Sequence, residues 1–216
     1  MRSMLVIGLG RFGSNLAIKL TELGNEVLAV DRDEEIVNKI APKVTRAQIG
    51  DCMDIDVLKT LGVSDFDVCF VCIGINIQAS LEITCQLKDL GAKYVVAKTD
   101  RELHTKFLQK IGADEVIFPE RDMAQRTAMR YCTKGAFDYI ELTPEYAIFE
   151  AAVPKGWIGK NLRELDIRSQ HSINVVGIKE GSRVVPAVSA DRPFVQDEHL
   201  ILAGSKKDLL HLLEKS

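Results

Sequence analysis

The sequence predicts an α/β protein: a doubly wound parallel sheet followed by a small α+β domain. Three observations carry this expectation. Residues 1–133 alternate short apolar runs with amphipathic ones, at the lengths of strands and helices in a parallel sheet covered on both faces. Four of the amphipathic runs stop at a glycine, Gly24, Gly62, Gly91 and Gly112, where a left-handed residue can end a helix. From Lys134-Gly135 onward the apolar residues alternate one by one, the pattern of antiparallel strands, so residues 134–216 form a second domain.

The elements follow in order. Met4 to Ile7 is a short buried strand. Gly8-Leu9-Gly10-Arg11-Phe12-Gly13 turns the chain into a helix whose apolar face is Phe12, Leu16, Leu20 and Leu23. Val27 to Val30 is the second strand and ends in Asp31. Asp33 caps a helix that buries Ile36, Val37 and Ile40. Val44 to Ile49 is the third strand and Asp54 to Leu61 a short helix. Asp67 to Ile73 is the fourth strand, and its unbroken apolar character places it centrally. Asn76 to Leu90 is a helix, Tyr94 to Ala97 a strand, and Asp100 caps a helix reaching Ile111. Glu115 to Phe118 is the sixth strand, and Pro119 opens a helix to Cys132. Beyond it, Phe137 to Leu142 and Tyr146 to Val153 read as strands. Leu162 to Leu165 is at most a helical turn. Ile173 to Lys179 and Arg183 to Val188 read as a hairpin, His199 to Ala203 as a strand, and Lys206 to Leu213 as a closing helix.

Composition narrows the classes. The chain has 216 residues, 46% hydrophobic, with a net charge of −3, enough for a real core and without a basic stripe for nucleic acid. The strongest apolar run, Val68 to Ile75, is far shorter than the ~20 residues of a membrane span, and the start of the chain does not read as a signal peptide. A cytosolic protein is expected. The five cysteines fit no disulfide frame. Cys69 and Cys72 resemble a CxxC pair, but in a strand residues three apart face opposite ways. The four histidines are scattered and suggest no metal cage.

Strand, glycine turn, helix, strand and acid come in the order of a dinucleotide-binding, Rossmann-like unit. Gly8 permits the tight turn, Gly10 lets backbone approach a phosphate, and Gly13 lets helix and strand pack closely. Free N–H groups at the helix start face the anion. Asp31 stands about 20 residues beyond the turn, where a carboxylate accepts from ribose hydroxyls. Its competing role is a helix cap, for which Asp33 is better placed. Arg11, inside the turn, can reach a terminal phosphate; without an anion a cation there opposes the helix dipole. Arg32 either stacks on adenine or is an ordinary solvated charge. Asp51 closes the third strand on the adenine side, or simply forms a turn with Gly50. Gly74 and Asn76 end the fourth strand beside the phosphates, or make a plain strand-to-helix turn. Phe12 in the turn and Cys52 beside Asp51 complete the expected nucleotide-binding set. Glu120 sits at a helix start, which alone suits a carboxylate.

Six segments together resemble the RCK proteins, regulators of potassium conductance, and more closely the cytosolic regulatory subunits of bacterial Ktr/Trk-type potassium uptake systems. They are Gly8 to Gly13, Val27 to Asp31, Gly50-Asp51, Gly74 to Ser80, Gln109 to Asp114, and Phe118-Pro-Glu-Arg-Asp-Met123. The resemblance spans essentially the whole chain, more loosely beyond residue 130. It implies an RCK-N domain over 1–133 and an RCK-C domain over 134–216. It also implies dimers that assemble into an octameric ring beneath an integral membrane potassium-translocating subunit, at the inner face of the membrane. ATP in the cleft would favour conduction and ADP disfavour it, with no bond made or broken. Lys98 would face the nucleotide, and Glu120 would help hold Mg²⁺ or Ca²⁺ between the phosphates of two subunits. In the second domain the resemblance implies a cyclic di-AMP site at a dimer interface. There Arg168 would meet phosphate, and Leu162 and Pro186, with Ala187 beside it, would pack on adenine. Arg163 stands where that pattern prefers a second aliphatic residue.

Two other readings compete. Asp31 reads ribose and so permits NAD(H) equally well, in a redox sensor or a small NAD-dependent oxidoreductase. An oxidoreductase needs a proton donor or hydride-orienting group, and the second domain offers no convergent His/Lys/Tyr set.

Overall fold

A computed structural model describes residues 1–74, 76–132, 135–186 and 188–214. The chain divides into two compact units, Met1–Arg121 and Asp122–Ser216. This division falls inside a helix, whereas the change of sequence pattern places the boundary after that helix, at Lys134, a residue outside the described ones.

In the first unit, strands β1 (Ser3–Ile7), β2 (Glu26–Asp31), β3 (Arg46–Ile49), β4 (Val68–Val71), β5 (Val95–Lys98) and β6 (Glu115–Ile117) pair in the order β3-β2-β1-β4-β5-β6, all parallel. Helices α1 (Arg11–Glu22), α2 (Glu34–Ile40), α3 (Ile55–Leu61), α4 (Ile77–Asp89) and α5 (Glu102–Lys110) connect them. The order reverses between β1 and β4, where the C-terminal strand ends leave a crevice.

Strand alternation sends Leu5, Ile7, Leu28, Val30, Cys69 and Val71 into one core and Met4, Val6, Val27, Ala29 and Val68 into the other. Cys69 belongs to the first core and Cys72 to the second, so this CxxC makes no pair. Burial pushes both thiols up to about 12, which suits an inert apolar role.

Three local readings differ from the structure. On α1 the fully buried residues are Gly13 and Ala17; Phe12, Leu16 and Leu20 are half-buried and Leu23 is exposed. The helix lies so close to the sheet that only small residues fit at its centre. Asp100 does not cap α5. The N-cap is Arg101, with no side-chain cap, because Thr99 Oγ1 instead accepts from the Arg101 N–H at 3.2 Å. The third strand starts at Arg46 because a 3₁₀ turn over Ala41–Lys43 precedes it.

Helix α6 (Pro119–Cys132) is exposed along most of its length and runs into the second unit. That unit contains β7 (Ala136–Glu141), β8 (Tyr146–Ala152), α7 (Leu162–Leu165), α8 (Ile167–His171), β9 (Asn174–Glu180), β10 (Arg183–Val185), β11 (His199–Ser205) and α9 (Lys206–Glu214). The strands form an antiparallel sheet in the order β10-β9-β11-β8-β7. Phe149, Ala151, Leu200 and Leu202 alternate into its core with Trp157, Phe194 and Leu209. An Asn161/Glu164 capping box starts α7.

Candidate functional site

A cleft of about 440 Å³ lies at the crossover, against the ends of β1, β2 and β4. Gly8, with φ +90, turns the chain out of β1, and its N–H donates to the Val30 carbonyl at 2.9 Å. Gly13 is demanded by packing, since a Cβ there would stand 1.9 Å from the Gly8 carbonyl oxygen. Gly10 differs from both. Its φ of −62 is open to any residue, and a Cβ would meet no protein atom within 4 Å. Gly10 is exposed and lines the cleft. Helix α1 begins there with no side-chain cap and no acidic residue in its first turn, leaving its orphan N–H donors for an anion.

Asp31 fastens the turn to β2. One carboxylate oxygen accepts from the Leu9 N–H at 2.6 Å and the other from the Asp33 N–H at 3.0 Å. Asp33 caps α2 through the Glu35 and Ile36 N–H groups, so Asp31 is not the helix cap. Asp31 and exposed Arg32 both line the cleft.

Both alternatives weighed for Asp51 are present together: its Oδ1 accepts from the Met53 N–H at 3.0 Å, and it lines the cleft beside Cys52. Burial, with the Asp51 and Asp31 carboxylates adding, pushes the Cys52 thiol up to about 12. Asn76 likewise caps α4 through the Ala79 N–H and lines the cleft with Gly74. Ile75 between them lies outside the described residues.

The cleft therefore unites Gly8, Gly10, Asp31, Arg32, Asp51, Cys52, Gly74 and Asn76. Arg11, Phe12, Gly13 and Lys98 are not among its lining residues. Arg11 is the exposed first residue of α1, and Phe12 packs half-buried against the second core. Ile36, Met53, Ile73 and Ile83 supply apolar walls outside the expected set; their only sequence signal is that each stands in or beside a helix or strand.

Lys98 is 8% exposed, and its ammonium lies 2.9 Å from Glu120 Oε1. This hydrogen bond holds the Glu120 carboxyl below its usual range against some opposing desolvation, and the charge of Arg11 adds to it. Among the described residues no group of three His, Cys, Asp or Glu could hold a metal, at Glu120 or elsewhere.

In the second unit Leu162 packs half-buried against the core, while Arg168 and Pro186 are exposed. Arg163, the departure from the expected aliphatic pattern, pairs with Asp191 at 2.9 Å. Ala187 lies outside the described residues.

Residues 4–119 match the TrkA-N domain and residues 147–216 the TrkA-C domain. Ktr system potassium uptake protein C of Bacillus subtilis is 42% identical over 208 residues, covering 96% of this chain and 94% of that protein. The chain belongs to the Ktr/Trk family of potassium uptake proteins. Ktr system potassium uptake protein A of Bacillus subtilis is 35% identical over the same share of this chain, 96%, and 94% of its own length. The fold of this family member is also that of the GsuK channel bound to NAD, at a TM-score of 0.69 and 18% identity, over 99% of this chain and 39% of that one. No helix among its described residues is long and apolar enough to cross a membrane.

Proposed function

We propose that this chain is the nucleotide-sensing regulatory subunit of a potassium uptake system. The observation that carries the reading is Gly10. Neither its backbone angles nor its packing requires glycine, yet it opens onto a cleft faced by uncapped helix N–H groups and by Asp31. A phosphate at those N–H groups and a ribose at Asp31 account for both features. In this reading the chain works with a membrane potassium-translocating partner, its dimers assemble into an octameric ring at the inner face of the membrane, and ATP favours conduction over ADP; membership of a potassium uptake family supports the partner. Arg11, the residue next to the open glycine, is the one in this reading that distinguishes a third phosphate.

The chain acts by binding and not by catalysis. The cleft lining described above holds no His, Lys or Tyr to exchange a proton, and its Cys52 and Cys72 thiols are too basic to attack. Mg²⁺ or Ca²⁺ at Glu120 belongs in this reading to the nucleotide-bound pair of subunits, where phosphates add donors; chelator and Glu120→Gln should then weaken ATP binding together, and an affinity indifferent to both rejects the cation. A cyclic di-AMP role for Leu162, Arg168 and Pro186 rests on family membership alone. Titration with the dinucleotide, repeated on Arg168→Ala, tests it.

The second reading is an NAD(H) sensor. It is favoured by Asp31, which reads only the adenosine half of a dinucleotide, and by the NAD-bound channel that shares the fold. Competition between ADP and NADH for the purified protein separates the two.

A further inference from the structure

Lys98 is a buried ammonium whose partner carboxylate is largely in water. Its side chain is 9% exposed, that of Glu120 61%. A solvated carboxylate gains little from an ion pair, whereas burying the ammonium is costly, so the pair is a poor way to stabilise this fold. Its position gives another reason for it. Gly74 has no positive φ, and the one atom within 4 Å of a Cβ built there is the Lys98 Nζ, at 3.1 Å. Gly74 lines the cleft. The missing side chain leaves the ammonium behind the cleft wall, beside the β4 end where phosphates are expected. Glu120 meets the same ammonium at 2.9 Å, near enough to Arg11 for that charge to act on it. An unpaired carboxylate there would repel phosphates.

We propose that Lys98 is the internal counter-ion of this site: it cancels Glu120, so that the cleft of a single chain accepts the phosphates of ADP with no divalent cation. This rests on the nucleotide-binding reading above and adds to it how charge is balanced. The lysine acts through Glu120 and is a positioning residue here, not a phosphate ligand.

The test is a charge cycle read by ADP titration of the full chain with chelator present throughout, in wild type, Lys98→Met, Glu120→Gln and the double variant. Melting temperature checks that each folds. Lys98→Met should bind ADP about tenfold more weakly, Glu120→Gln as tightly as wild type or tighter, and the double variant within about threefold of wild type. The differences should shrink as salt rises. An unchanged Lys98→Met, or a double variant as weak as Lys98→Met, overturns the proposal; the latter would make the lysine a direct ligand or a structural residue. If Lys98→Met does not fold, Glu120→Gln decides alone, since weaker binding by it contradicts the cancellation. Wild type that binds neither ADP nor ATP overturns the nucleotide reading as well, and so is distinguishable from failure of the counter-ion alone.

Discussion

Alanine at Gly10 and at Gly13 should separate ligand space from packing space within one short turn. At Gly13 the new methyl would lie 1.9 Å from the Gly8 carbonyl oxygen and 3.0 Å from Cys72 Cβ, so α1 must move off the sheet. Overpacking of this kind costs about 1–3 kcal/mol, and overlap with backbone leaves little room for relief. For a unit of this size that is roughly 3–15 °C in melting temperature. At Gly10 the φ of −62 suits alanine and no atom lies within 4 Å of the methyl. Stability should stay within about 0.5 kcal/mol of wild type, or rise slightly as the unfolded chain loses freedom. Affinity should fall, because the methyl occupies the approach to the N–H donors. Losing one or two charge-assisted hydrogen bonds costs about 1.5–3 kcal/mol, roughly 10- to 150-fold in Kd. Thermal unfolding without ligand and calorimetric titration with ADP read the two effects separately. Equal destabilisation by both substitutions, or unaltered ADP affinity in Gly10→Ala, would refute the assignment of that space to a phosphate.

Three further outcomes are expected. Asp31→Asn places an amide against the Leu9 and Asp33 N–H groups, so it should cost about 1–3 kcal/mol of stability; it should also weaken ATP far more than 2′,3′-dideoxy-ATP, and equal loss for both would remove the ribose role. Arg11→Ala should abolish preference for ATP over ADP in titration while adenosine diphosphate still binds; equal loss of both would make Arg11 a general anchor. The Arg126 guanidinium, bidentate on Asp138 at 2.9 and 2.6 Å, holds that carboxyl below its usual range. A depressed folded pKa gives stability that is present above the unfolded value near ~3.9 and lost as pH falls through the folded one. Both side chains are well exposed, so Asp138→Asn should cost less than about 1 kcal/mol at pH 7 and progressively less as pH falls through the folded pKa; a gap that does not narrow on acidification would contradict the ion pair.

The succession of strands and helices in the parallel sheet was legible because alternation, glycine stops and strand length all concern residues near in sequence. Asp33, Asp54 and Asn76 cap their helices as side-chain chemistry dictates, each accepting from an N–H two or three positions on. What escaped depends on separation in the chain or on depth of packing. Leu23 has the right spacing for the apolar face of α1, but the approach of the helix is set by Gly13 and Ala17, which rolls it away from Leu23. Helix α8 follows Asp166, a non-glycine residue at φ +39 that gives no stop or start signal. The acid ending β2 was readable as a ribose ligand, but its bond to the Leu9 N–H exists only once β1 and β2 pair. The Lys98–Glu120 contact joins the end of β5 to the start of α6, and nothing local to either residue announces it.

The central claim is that the crossover cleft holds an adenine nucleotide whose phosphate number the protein reads. Calorimetric titration of the purified chain with ATP, ADP, NAD and NADH, with and without Mg²⁺ at fixed ionic strength, tests it most directly. The account predicts tight ATP and ADP binding and much weaker NAD and NADH binding. A clear preference for NADH would contradict it and move the chain to the redox-sensor reading, with Arg11 and Glu120 wrongly assigned.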